Sequence, residues 1–120
     1  MSRAVLVVDH GSRVPEANAL LEAVAAQVRE RLPGCLVRAA HLDLVEPLIP
    51  AAIDAAVAEG AREIVLAPWF LGPGTHSARD LPRLAADAER RHPGLRVACA
   101  EPLGADARLV EVLLERIAAA

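Results

Sequence analysis

A chain of 120 residues with 54% apolar side chains holds enough material for one packed core and too little for two. Aromatics make up only 2% and alanine much of the apolar count, which favours helices lying close against a sheet over an all-β fold. All 13 basic residues are arginines against 16 acids, a net charge of −3 that lacks the basic signature of nucleic-acid binding; without lysine, a Schiff-base lysine and a Walker-type phosphate lysine are excluded.

In chain order, the near-continuous apolar run Ala4–Val8 predicts a strand over 4–9 that is covered on both faces, as in a parallel sheet. His10-Gly-Ser-Arg13 follows it directly. Ala17, Leu20, Leu21, Val24, Val28 and Leu32 then recur at helical spacing on one stripe, and Pro33-Gly34 stops that helix. A second strand over 35–41 runs into Ala40-His-Leu-Asp-Leu-Val-Glu-Pro47. Ile49, Ala52, Ile53, Ala56 and Val57 mark a second helix ending at Gly60, and residues 63–68 a third strand. After the loop Leu71–His76, a third helix is expected to start near Ser77 or Asp80, with Pro82 in its first turn, and to stop at Pro93-Gly94. A fourth strand over 95–100 and a fourth helix from about Asp106, burying Leu109, Leu113 and Ile117, complete the pattern. Arg31-Leu-Pro-Gly34 and Arg91-His-Pro-Gly94 each close a helix before a strand, which suggests two related β-α-β-α halves, although shared helix-stop chemistry explains the recurrence almost as well.

Parallel sheets bind ligands beyond the carboxyl ends of their strands, so His10 and His76 meet in one crevice if the first and third strands are neighbours. The plainer alternatives are that His10 caps its strand and His76 sits in a solvated turn. Ser12 beside His10 suggests an acyl-transfer pair, but the Gly-x-Ser-x-Gly elbow is missing. Asp43 and Glu46 fall on the crevice side of the second strand, with Glu46 otherwise a dipole partner of the following helix. Two histidines and one or two carboxylates suit a divalent metal with open coordination positions. His41 reads as structural or peripheral, and His92 as a surface residue. Cys35 and Cys99 lack metal-type spacing and read as buried thiols in a reducing cytosol. The N-terminal apolar run is too short for a signal segment or a membrane span, so a cytoplasmic protein with no membrane or nucleic-acid partner is expected.

Taken in order, His10-Gly-Ser-Arg13, Leu42-Asp-Leu-Val-Glu-Pro47, Pro68-Trp-Phe-Leu-Gly-Pro-Gly-Thr-His76 and Asp80-Leu-Pro82 make the whole chain resemble the class II metal chelatases of tetrapyrrole synthesis, in particular the short, CbiX-like sirohydrochlorin chelatases. The resemblance implies an α/β, flavodoxin-like four-stranded parallel sheet with helices on both faces, forming a single domain over residues 1–120. It implies a lyase-type chelatase that inserts Co2+ into sirohydrochlorin with release of two protons, as in cobalamin biosynthesis. The alternatives are Fe2+ insertion for siroheme and a non-catalytic tetrapyrrole or metal carrier. His10 would bind the metal and accept protons, and His76 would be the second metal ligand. Glu46 and the loop of Leu71, Gly72, Pro73, Gly74, Thr75 and His76 would contact the tetrapyrrole. Asp43 is expected to support the metal, and Arg13, with Arg79 and Arg83, to meet the substrate's carboxylates, although a solvated helix face explains Arg83 better. No organic cofactor is expected; the divalent ion is itself a substrate, with Fe2+ and Ni2+ the other ions such ligands accept. The family usually has Gly where this chain has Asp9, and often Glu where it has Asp43. Asp9 is therefore expected to act on the adjacent His10 imidazole. Family members of twice this length contain two lobes, so a single lobe implies a homodimer.

Overall fold

A computed structural model describes residues 2–72 and 75–120, apart from the side chains of residues 75–78. Strands and helices alternate: β1 (Arg3–Asp9), α1 (Pro15–Arg31), β2 (Leu36–His41), α2 (Ile49–Ala58), β3 (Glu63–Pro68), α3 (Thr75–Arg91), β4 (Arg96–Cys99) and α4 (Ala107–Ala119). All four strands are parallel, in the order β2-β1-β3-β4, so β1 and β3 are central neighbours as the crevice argument requires. This is the flavodoxin-like α/β arrangement expected from the sequence.

Strand alternation divides the core into two layers. Val5, Val7, Val37 and Ala39 face α1, where they meet Leu21 and Ala25. Ala4, Leu6, Val8, Ala40, Ile64 and Leu66 face the other way, onto α2 and α3, through Ile49, Ile53, Leu81 and Ala88. The α1 stripe is therefore Leu21, Val24, Ala25 and Val28, and Leu20, expected to be buried, is 64% exposed. α3 begins at Thr75, earlier than expected, so Pro82 sits in the helix interior instead of the first turn. It lies on an exposed position, where water can take over the carbonyl that a proline leaves without an N–H partner.

The largest departure is α4. No residue of this helix is buried, and Leu113 and Ile117 are 58% and 60% exposed where the sequence predicted an inward face. The apolar spacing identified an amphipathic helix correctly, but periodicity cannot specify which surface covers its apolar side. β4, the edge strand that precedes it in the chain, is also open: Cys99 is exposed, not buried, and Cys35, just before β2, is half-buried. Desolvation, reinforced by Glu89, pushes the Cys99 thiol up, which disfavours its thiolate form.

The recurrent helix-stop sequences close α1 and α3, each 17 residues long, and the halves β1-α1-β2 and β3-α3-β4 place β2 and β4 at opposite edges of the sheet. Their helices cover opposite faces, as two right-handed crossovers running in opposite directions require.

Candidate active-site crevice

The carboxyl ends of β1 and β2 continue to pair beyond the strands. The Leu42 N–H donates to the Asp9 carbonyl at 2.9 Å, and the Asp43 N–H to the His10 carbonyl at 3.0 Å. The His41 N–H donates to the Pro47 carbonyl at 2.9 Å, which folds the Glu46-Pro47 segment back onto β2. Gly11 makes this zipper feasible. Its φ is +87°, and a Cβ there would lie 1.9 Å from the Asp43 carbonyl oxygen.

The resulting crevice, about 380 Å³, is lined by His10, Gly11, Leu42, Asp43, Leu44 and Asp80. Two residues quoted only as parts of sequence motifs prove to belong to it or to its wall. Asp80 reaches it from α3, with Arg83 donating to its carboxylate at 2.9 Å, so Arg83 serves an intrahelical ion pair. Phe70 stacks on His10 with ring centroids 4.9 Å apart and planes inclined by 27°. A lone phenylalanine directly after a strand was the available signal for it, but composition alone marks such a residue only as apolar.

The other expected residues are distributed as follows. His10 is exposed at the end of β1, and Asp43 shares its crevice, with the Asp43 carboxylate accepting from the Leu44 N–H at 2.8 Å. Glu46 and Arg13 are exposed on neighbouring loops and do not line the crevice. Leu71 and Gly72 are exposed after β3, tied to the β4–α4 connection by Gly104 N–H donating to the Leu71 carbonyl at 2.7 Å. Pro73 and Gly74 lie outside the described residues. The backbone of Thr75 and His76 opens α3, and their side chains lie outside the described residues, so the expected meeting of His76 with His10 does too. Among the described residues, no three His, Cys, Asp or Glu side chains form a metal-holding group.

Asp9 does not engage His10. Successive strand residues point to opposite faces, so Asp9 lies on the α1 side while His10 goes to Phe70. Its partner is the residue level with it on the adjacent strand: the Asp9 Oδ1 is 2.5 Å from the His41 Nδ1 and also accepts the Gly11 N–H at 3.0 Å. His41 is structural, but far from peripheral, at 3% exposed. Ser12 is equally committed: its hydroxyl accepts from the Val14 N–H at 3.0 Å, while Asn18 brackets its backbone with bonds of 2.9 and 2.7 Å. An acyl-transfer role for Ser12 has no support in this geometry. His92 is half-buried, with Nε2 2.7 Å from Asp54 Oδ1, and with Arg91 it ties α3 to α2. Those hydrogen bonds hold the Asp54 carboxyl below its ordinary range.

Comparison with known proteins places this geometry in context. The family model CbiX matches residues 4–120. A chloroplastic sirohydrochlorin ferrochelatase from Arabidopsis thaliana is 38% identical over 113 residues, covering 94% of this chain but only 50% of that protein. A sirohydrochlorin cobaltochelatase from Methanocaldococcus jannaschii is 31% identical, covering 94% of this chain and 96% of its own length. The crystal structure of the sirohydrochlorin chelatase SirB from Bacillus subtilis subspecies spizizenii in complex with cobalt superposes with a TM-score of 0.83 at 30% identity, covering 98% of this chain and 50% of SirB. The chain thus spans about half the length of some relatives and nearly all of another.

Proposed function

Because the chain belongs to the CbiX family, we propose that it is a sirohydrochlorin chelatase that takes a divalent metal ion and the free macrocycle as substrates and releases two protons. The observation that carries this reading is the crevice itself, where His10 and Asp43 share one opening at the ends of β1 and β2 beside the Phe70 ring. Insertion requires a group that ligates the incoming ion and accepts pyrrole protons, and a neutral imidazole does both. In this reading His10 has that double role, His76 is the second ligand and Asp43 supports the metal. Glu46, Arg13 and the loop from Leu71 to His76 hold the polycarboxylate ring.

Cobalt is the ion we assign, because the cobaltochelatase relative from Methanocaldococcus is matched over 96% of its own length, whereas the Arabidopsis ferrochelatase is matched over only 50% of its own. Iron is the second reading, favoured by the higher identity to the Arabidopsis ferrochelatase. A crevice of about 380 Å³ offers one wall to a large planar macrocycle, and the apolar row on α4 is unpartnered, so we further propose a homodimer whose second copy supplies the opposing wall. The reading makes the protein cytoplasmic. Among the described residues no helix is long and apolar enough to cross a membrane.

Anaerobic absorbance of sirohydrochlorin with Co2+, Fe2+ and Ni2+ tests the proposal. Repeated turnovers with Co2+ fastest are expected. Faster Fe2+ insertion selects the second reading, a single turnover per site selects a carrier, and no spectral change with any ion overturns the chelatase assignment.

A further inference from the structure

The mechanism above makes no use of the most deeply buried ionisable side chain among the described residues at the crevice end of the sheet. His41 is 3% exposed, and its Nδ1 approaches the Asp9 Oδ1 at 2.5 Å. That oxygen also accepts the Gly11 N–H, so one carboxylate oxygen receives a donor from each wall of the crevice. A carboxylate oxygen only accepts, so the contact assigns the imidazole hydrogen to Nδ1.

The bonds radiating from this pair reach every part of the crevice on the β1–β2 side. Asp9 fixes Gly11, the residue after His10, in the left-handed turn that its φ of +87° records. The backbone of His41 holds the Pro47 carbonyl, and with it the segment that carries Glu46. The carbonyls of Asp9 and His10 receive the N–H groups of Leu42 and Asp43. His10 is exposed and meets Phe70 on one face, so its aim depends on the backbone turn between residues 9 and 11.

We infer that Asp9 and His41 are a positioning pair, an Asp–His clamp behind the sheet end that fixes the turn from which His10 enters the crevice and locks it to the loop carrying Asp43. A group that must lie within tenths of an ångström of a reacting atom needs its supporting residues locked, and small misplacements cost large factors in rate. The effect on metal insertion rests on the chelatase reading; the effect on the turn does not.

The experiment combines Asp9→Ala, His41→Ala and the donor-retaining His41→Asn, each checked for folding by circular dichroism. Two readouts are taken: hydrogen exchange of the Gly11 amide by NMR in the protein alone, and kcat and KM for Co2+ insertion. In wild type, long-range 1H–15N spectra should show His41 with its proton on Nδ1. Both alanine variants should speed Gly11 exchange at least tenfold and lower kcat at least tenfold with little change in the KM for sirohydrochlorin, and His41→Asn should recover most of both. Unchanged Gly11 exchange in the folded alanine variants overturns the clamp, and faster exchange with unchanged kcat overturns its positioning role. If His41→Ala does not fold, Asp9→Ala and His41→Asn decide the same questions. A wild type that inserts no metal overturns the chelatase reading, while Gly11 exchange still decides whether the clamp exists.

Discussion

The two edges of the sheet treat their surroundings in opposite ways. At the β1–β2 end, main-chain bonds continue past the strands, a glycine admits a contact that no other residue permits, and an almost fully buried histidine is bonded to a carboxylate. At the β4–α4 side, the edge strand exposes most of its residues and α4 buries none, although Val110, Leu113, Leu114 and Ile117 are apolar. The contrast separates two kinds of constraint. The bonds that shape the first region, the main-chain zipper and the Asp9–His41 contact, are all made within one chain. The second carries apolar surface that one copy leaves uncovered, the feature on which the proposed homodimer rests.

Breaking the first region should have the largest effects. His10→Ala should leave a folded protein whose Co2+ insertion falls by about 100-fold or more, the range of a lost proton acceptor, measured by anaerobic absorbance. Near-normal turnover in that variant would remove His10 from the mechanism. Next comes Gly11→Ala, where an added Cβ meets the Asp43 carbonyl and φ is unfavourable for any L side chain. A loss of about 2–4 kcal/mol in denaturant unfolding is expected, and a change below about 0.5 kcal/mol would mean that the two loops part at little cost.

The second region should respond differently. Leu113→Asp with Ile117→Asp should change the stability of the isolated subunit by no more than about 0.5 kcal/mol, because both side chains already face water. The same pair should turn a dimer into monomers in sedimentation velocity and lower insertion in parallel. A variant that stays dimeric moves the interface away from α4. The smallest effect is set far from both regions, at the α2–α3 tie. His92 and Arg91 depress the Asp54 carboxyl, so its contribution is present above the ordinary value of 3.8 and is lost as the pH falls through the lower value it has in the folded protein. Asp54→Asn should destabilise by less than about 1 kcal/mol at pH 7, because the pair is half exposed, and the difference from wild type should narrow progressively as the pH falls below 3.8. A gap that does not narrow on acidification would assign the loss to packing.

What the sequence made legible follows the same division. Branched apolar runs and Pro-Gly stops located every strand and helix to within a few residues, because burial on both faces of a parallel sheet leaves a continuous signal. The grouping of His10 with Asp43 was also legible, since both follow directly on strand ends. Asp9 was misread because adjacency along the chain was taken for adjacency in space; a strand puts neighbours on opposite faces, and the true partner, His41, lies across the ladder. Had the register been known, the pair could have been predicted. α4 shows the other limit: a helical stripe records an apolar side, but whether and by what it is covered is not written in its own residues.

Trp69 lies just past β3, against the α1 face of the sheet. It is the only tryptophan in the chain, and its main-chain N–H is bonded to the Val8 carbonyl on the central strand. The residue is 41% exposed, in a shallow groove of about 270 Å³ with Val24, Gln27, Val28 and Arg31, while the next residue is the phenylalanine stacked on His10. The protein therefore carries an intrinsic optical gauge. All tryptophan emission comes from one half-wet indole, so any surface that covers the α1 face should shift it to the blue, and a coloured macrocycle bound beside Phe70 as proposed should quench it by energy transfer. Coverage of that face and capture of the proposed substrate can be followed in the same cuvette without attaching a label.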